Sequence, residues 1–177
     1  YRLPRRRLFS DPGHFRAVKG VSFSLNRGER LGLVGRNGHG KTTLFRILLR
    51  SEAPDDGQMV VSKGYRIGHL SQQIKFTEAS VLAEACTSLP KTEDGSDISY
   101  RAKAALDGLG FSPQDLDRSP GELSGGFQVR LNLAKVLISE PNLLLLDEPT
   151  NYLDIVSMRW LQRFLGDWRS ELILITH

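Results

Sequence analysis

Residues 33–44, "LVGRNGHGKTTL", constrain the fold of this chain more than any other stretch. Gly35, Gly40, Lys41 and Thr42 satisfy G-x-x-x-x-G-K-[ST]; the apolar run 31–34 precedes them, and Leu44, Ile47 and Leu48 follow at helical spacing. The pattern therefore predicts a strand, a glycine loop and a helix over 41–50. Glycines are needed in such a loop because backbone N–H groups must approach phosphate oxygens more closely than side chains would permit, while the helix N-terminus adds positive potential. The loop Gly35, Arg36, Asn37, Gly38, His39, Gly40, Lys41, Thr42 and Thr43 is thus a candidate phosphate cradle. Lys41 would reach the β and γ phosphates and the Thr42 hydroxyl would ligate Mg²⁺. The alternative is a glycine turn with a surface lysine, and the flanking strand and helix argue against it. The dinucleotide fingerprint G-x-G-x-x-G is not met by "GRNGHG".

The rest of the chain reads as alternating strands and helices. Residues 21–25, "VSFSL", alternate apolar and polar, and "NRGE" turns them into the next strand at 30–34, which predicts an opening hairpin. Short strands are expected near 59–61 and 65–70. Apolar positions at three- and four-residue spacing predict a helical insert over 80–109, interrupted by the polar "KTEDGSD". An amphipathic helix follows over 126–139 with Phe127, Leu131, Ala134 and Ile138 on one face. Then come the apolar run "NLLLLDE", a helical face of Ile155, Met158, Leu161, Leu165 and Trp168, and a last strand "ELILITH". The order predicts an α/β fold with a mainly parallel core sheet. An N-terminal antiparallel β part and a helical subdomain over about 78–122 are expected within a single domain spanning 1–177.

Asp147 and Glu148 end the run "LLLLDE". In a parallel sheet the C-terminal strand ends share one edge, so both acids can face the loop after Val34. Asp147 suits holding Mg²⁺, and Glu148 suits orienting and deprotonating a water for attack on a γ phosphate. Taken alone, two acids capping a strand end would be the plainer reading. A third stretch, "LSGGFQ" at 123–128, opens the amphipathic helix with Ser124, Gly125 and Gly126. A hydroxyl and backbone N–H groups at a helix start form a second anion-binding arrangement, or simply a capped helix.

Composition sets outer limits. The chain has 177 residues, of which 40% are apolar and 25% charged, enough for one globular domain with a sizeable core. The net charge of +4 is concentrated in part at Arg2, Arg5, Arg6 and Arg7, a run that is a solvated tail or a contact for RNA or acidic phospholipid. A lone cysteine, Cys86, allows no internal disulfide and suits a reducing compartment, so a cytoplasmic location is expected. No apolar run reaches the roughly 20 residues that span a bilayer, so no membrane span is expected in this chain. The start at Tyr1 and the stop at His177, directly after "LILIT", suggest a piece of a longer protein.

Taken together, these stretches resemble the ATP-binding cassette (ABC) ATPases: a Walker A loop "GRNGHGKTT", a glutamine loop "LSQQ", a signature "LSGGFQ", a Walker B strand "LLLLDE", a D-loop "TNYLD" and a terminal "ITH". The resemblance implies ATP and Mg²⁺ as ligands and a second cassette as partner, packed head to tail. Each ATP would then lie between the Walker A loop of one cassette and the signature of the other, so Ser124, Gly125 and Gly126 would serve the partner's nucleotide. It further implies Gln72 (or its neighbour Gln73) near Mg²⁺ and the attacking water, His177 against the γ phosphate, and Asp154 at the cassette interface. Phe9, or else Phe15, would stack on adenine. The catalytic set implied is Glu148, His177, Gln72 and Lys41, and the metal set Thr42, Gln72 and Asp147.

The wording "LSGGFQ" and "EPTNYLD" is similar to the ABC-F class, whose members carry two cassettes on one chain without membrane domains and in several cases act on the ribosome. Tyr152 departs from that class's commonest D-loop, and the stretch from Gln72 to Ser124 is too short for the long arm of many members. Three functions stay open: one cassette of an ABC-F ATPase acting on the ribosome and its RNA, the ATPase subunit of a membrane transporter docked to a permease, and a slow ATP-gated clamp.

Overall fold

The computed structural model describes residues 20–35, 40–70, 75–92 and 95–176. Four strands, β1 (Arg30–Val34), β2 (Ile67–His69), β3 (Leu143–Asp147) and β4 (Glu171–Thr176), form one parallel sheet in the order β1-β4-β3-β2. The parallel arrangement follows from β3, whose four leucines are buried on both faces and would leave an exposed apolar face in a half-solvated sheet. Strand alternation sorts these side chains into two cores. Leu143 and Leu145 join Ile173, Ile175, Phe45 and Leu48 on the face covered by helix α1 (Lys41–Leu48). Leu144, Leu146 and Leu172 join Leu106, Leu131, Leu137 and Leu161 on the other. That second face carries helices α2 (Val81–Cys86), α3 (Ser99–Gly108), α4 (Gly125–Ile138) and α5 (Ile155–Gly166). Each fully buried leucine contributes about 1.5–3 kcal/mol relative to exposure, so the leucine-rich β3 is the centre of both cores.

Close backbone approach holds α3 against α5. A Cβ on Gly108 would sit 2.0 Å from Trp160 Cε2, so only glycine lets the last turn of α3 lie on that indole. Trp160 in turn stacks on Phe164 at 5.1 Å between ring centroids, and Phe164 meets Trp168 at 5.8 Å.

Several local expectations change. Residues 21–25 form no strand, and the described residues contain no antiparallel β part: Val21 is 52% and Phe23 43% exposed, and only Leu25 packs against a core. Alternation alone cannot make a strand without a neighbour to take up its backbone ladder, and β1 pairs with β4 in parallel. Residues 59–61 are likewise not a strand, with Val60 80% exposed. Helix α1 ends at Leu48 because Arg50 takes a left-handed backbone (φ 57°). Trp168 lies past the end of α5 at Gly166. The insert over 80–109 is two helices, with the second ending in a turn at Leu109 and Gly110.

Candidate functional site

Helix α1 begins at a glycine for a backbone reason. Gly40 occupies the N-cap with φ 79° and ψ 8°, a left-handed conformation that a side chain would strain. It supplies no side-chain cap, and no acid lies in the first turn, so nothing in the sequence there offsets the positive helix end. The Lys41 ammonium folds back to donate to the Gly35 carbonyl, just past the end of β1. The hydroxyl of Thr42 stands 3.5 Å from Asp147 Oδ2. That approach spans β4, which lies between β1 and β3 and separates the two strands by about 10 Å. Val34 pairs with Thr176 and Asp147 with Ile175, so the loop and the acids leave the sheet at the same edge.

Glu148 has a strained backbone at this edge. It adopts φ 46° and ψ 52°, a left-handed conformation that costs a non-glycine residue on the order of 1–3 kcal/mol. Its amide donates to the Ile175 carbonyl at 3.0 Å, and Asn151 Nδ2 donates to Glu148 Oε2 at 2.9 Å. The carboxylate is therefore aimed by a side chain three residues on. Sequence reasoning missed Asn151; the signal was its place in the turn "EPTN", within local reach of Glu148.

Thr42 and Asp147 also fit a magnesium ion. Both are hard oxygen donors, and Mg²⁺ is commonly held by one or two protein oxygens together with substrate phosphates. The three residues Lys41, Thr42 and Asp147, with Glu148 adjoining, are those the fold brings together. Arg36, Asn37, Gly38, His39, Phe9, Phe15, Gln72, Gln73 and His177 lie outside the described residues.

The second helix start differs. Ser124 is the N-cap of α4 and its Oγ accepts from the Phe127 amide at 3.5 Å. A Cβ on Gly125 or Gly126 would meet nothing within 4 Å, and neither residue has a positive φ. Among the described residues, neither packing nor backbone requires glycine at those positions. Helix α4 packs on the opposite face of the sheet from α1, and among the described residues no hydrogen bond joins Ser124, Gly125 or Gly126 to the loop at Gly35.

Asp154 follows the 3₁₀ turn Pro149–Tyr152 and caps α5, its Oδ1 accepting from the Ser157 amide at 2.8 Å. Its Oδ2 accepts from Arg130 Nη1 at 2.9 Å. The Ser157 amide and the Arg130 guanidinium hold its carboxyl below the ordinary range. Its carboxylate is thus engaged inside the chain, and Arg130 is a second residue that sequence reasoning missed; its signal was a cation near the start of α4, six residues past Ser124.

Beneath α4, Glu84 is fully buried and pairs with Lys135, while its Oε2 accepts from the amides of Thr77 at 2.8 Å and Glu78 at 2.9 Å. Burial alone would push its pKa up. The Lys135 ammonium and the two amides outweigh that and leave it below the ordinary value. This anchor ties α2 and the segment before it to the last turn of α4.

The family model described as ABC transporter matches residues 18–151. The chain is 33% identical over 202 residues to ABC transporter F family member 5 of Arabidopsis thaliana, covering 90% of this chain and 29% of that one. It is 35% identical over 198 residues to the tylosin resistance ATP-binding protein TlrC of Streptomyces fradiae, covering 89% of this chain and 36% of that one. It therefore spans well under half the length of these curated relatives. Among solved structures, a dimeric post-hydrolysis state of the ATP-binding cassette MJ0796 bound to ADP and Pi superposes with a TM-score of 0.68 at 23% identity, covering 91% of this chain and 80% of that one. At that identity the likeness is one of fold. No helix among the described residues is long and apolar enough to cross a membrane. Because the family match runs over most of the chain and takes in both helix starts and both acids, the chain belongs to the ATP-binding cassette family, and its curated relatives include members of the F class.

Proposed function

We propose that this cassette binds ATP at the edge formed by the Gly35–Thr43 loop, Asp147 and Glu148, and hydrolyses it when paired with a second cassette. The single observation that carries the reading is the 3.5 Å approach of the Thr42 hydroxyl to Asp147, which joins the loop to the acid strand across β4. Lys41, now on the Gly35 carbonyl, would swing to the phosphates and exchange a neutral acceptor for an anionic one. Thr42 and Asp147 would hold Mg²⁺, which supplies positive charge to the phosphate oxygens when bound. Glu148, aimed by Asn151, would orient a water and take its proton as the γ phosphate is attacked. Gln72 and His177 would complete the set, Phe9 would stack on the adenine, and 78–122 would act as the helical subdomain.

The signature start of α4 would close on the partner's ATP. Two glycines that the chain does not need for itself support that role, because they leave backbone N–H groups open to a phosphate arriving from outside. Departure of the γ phosphate removes charge that both cassettes share, so the pair would open. The F-class relatives and the wording "LSGGFQ" support a ribosomal target for this cycle. A transporter role is the second reading, favoured by a likeness to an inward-facing metal-chelate type ABC transporter at 29% identity, with a TM-score of 0.66 over 93% of this chain and 69% of that one.

The test is recovery of partners by the full-length Glu148→Gln protein with and without ATP. Ribosomal RNA recovered only with ATP supports the first reading; a membrane permease recovered instead supports the second.

A further inference from the structure

Arg130 lies on α4, and its side chain is 12% exposed. Its Nε donates to the Tyr152 carbonyl at 2.9 Å, and its Nη1 donates to the Leu109 carbonyl at 3.1 Å and to Asp154 Oδ2 at 2.9 Å. The guanidinium carbon stands 4.8 Å from the centre of the Phe127 ring, which itself meets Phe111 edge-on at 5.1 Å. One side chain thus joins the turn after Glu148, the cap of α5, the end of α3 and the first turn of α4. The site is shaped to admit it. Gly110 has φ 87°, and a Cβ there would lie 3.0 Å from Arg130 Nη1, 3.2 Å from Ser157 Oγ and 3.7 Å from Asp154 Oδ2. A planar fork with donors at fixed angles can serve two carbonyls and a carboxylate at once; a lysine ammonium cannot reproduce that spread.

We propose that Arg130 is a positioning residue that locks the Tyr152–Asp154 loop to the signature end of α4, so that both surfaces meet a partner cassette in fixed register. The proposal rests on the ATPase reading above. Tyr152 is 52% exposed, and Ile155 and Val156, directly after Asp154, are 68% and 76% exposed, so the clamp holds a segment whose outer side is open. Arg130 touches neither Lys41 nor Glu148 in any hydrogen bond seen among the described residues, so its loss should leave nucleotide binding at the loop intact while disturbing what the loop does with a partner.

The experiment compares wild type, Arg130→Lys, Asp154→Asn and the double variant in the full-length protein. It follows ATP turnover, affinity for a fluorescent ATP analogue and thermal midpoint. Arg130→Lys keeps a cation and Asp154→Asn keeps a helix cap, so both retain the fold where Arg130→Ala could lose it. Each single variant is expected to lower kcat by about tenfold or more with affinity changed by no more than about twofold. The double variant should be no slower than the worse single one, because both remove one contact. Turnover of Arg130→Lys within twofold of wild type overturns the proposal. So does a fall in turnover matched by a fall in affinity or in thermal midpoint. Additive losses in the double variant overturn the Asp154 link. A wild-type protein that does not hydrolyse ATP overturns the ATPase reading itself, and is told apart because it fails before any variant is made.

Discussion

The two helix starts, at Gly40 on α1 and at Ser124 on α4, differ in what surrounds them. At the first, the chain furnishes its own environment: Lys41 lies on the Gly35 carbonyl, Thr42 approaches Asp147, and the left-handed Gly40 is required by the backbone. At the second, Gly125 and Gly126 face open space and no backbone strain explains them. Glycines that nothing among the described residues needs are the ones the proposed function assigns to a partner that comes close. Gly108, pressed on Trp160, is the internal counterexample. On the proposed function, the contrast separates a site the cassette owns from a site it would lend.

The sharpest way to strengthen the contrast is to disable the owned site. Glu148→Gln should lower ATP turnover by about 10²–10⁴-fold with nucleotide affinity kept, read by phosphate release and by binding of a fluorescent ATP analogue. Turnover kept in that variant would remove Glu148 as the base.

The proposed partner site would depend on α4 being held from beneath, where Lys135 pairs with Glu84. Glu84→Ala leaves Lys135 without its buried partner and should cost about 3–5 kcal/mol in denaturant unfolding. Glu84 is held below its ordinary value of 4.5, so its stabilisation is full above that pH. It is lost as pH falls through the folded value. Glu84→Gln should accordingly flatten the acid side of the stability curve below pH 4.5, and an unchanged curve would mean the pair contributes nothing.

Lys41→Ala should weaken ATP binding by about 10–100-fold, from loss of a charge-assisted contact, without moving the thermal midpoint much. Equal affinity in titration calorimetry would take Lys41 out of the site. The smallest effects give the finest comparison. Gly108→Ala should cost about 1–3 kcal/mol by driving a methyl into Trp160. Gly125→Ala should change stability by no more than about 0.5 kcal/mol, because open space surrounds it. Equal costs for the two would erase the distinction between inward and outward glycines.

Much of this was legible in the sequence because it depends on local chemistry. The leucine run of β3 announces a strand buried on both faces, and Gly40-Lys41-Thr42 behind β1 announces a loop and helix start. The meeting of Thr42 with Asp147 follows from parallel strands ending at one edge. What the sequence hid is either tertiary or negative. Arg130 has no local partner beyond Phe127; its meaning comes from Leu109, Tyr152 and Asp154, which only the folded chain brings around it. The lysine of α4 likewise needed Glu84, far off in sequence, to become a buried anchor. The alternation in 21–25 read as a strand, yet period-two patterning records which residues are apolar and not whether a neighbouring strand is there to pair with them.

The central claim is that the start of α4 binds a phosphate the chain does not itself hold. Its most direct test places Gly125→Asp in the full-length Glu148→Gln protein and follows ATP-driven closure on the proposed partner cassette by energy transfer. An acid in the first turn of a helix is favourable for the helix, so α4 should stay folded and the Lys41 loop should still bind nucleotide. The account predicts that closure is lost because the new carboxylate repels the partner's phosphate. Closure as complete as in the Glu148→Gln protein alone would contradict it.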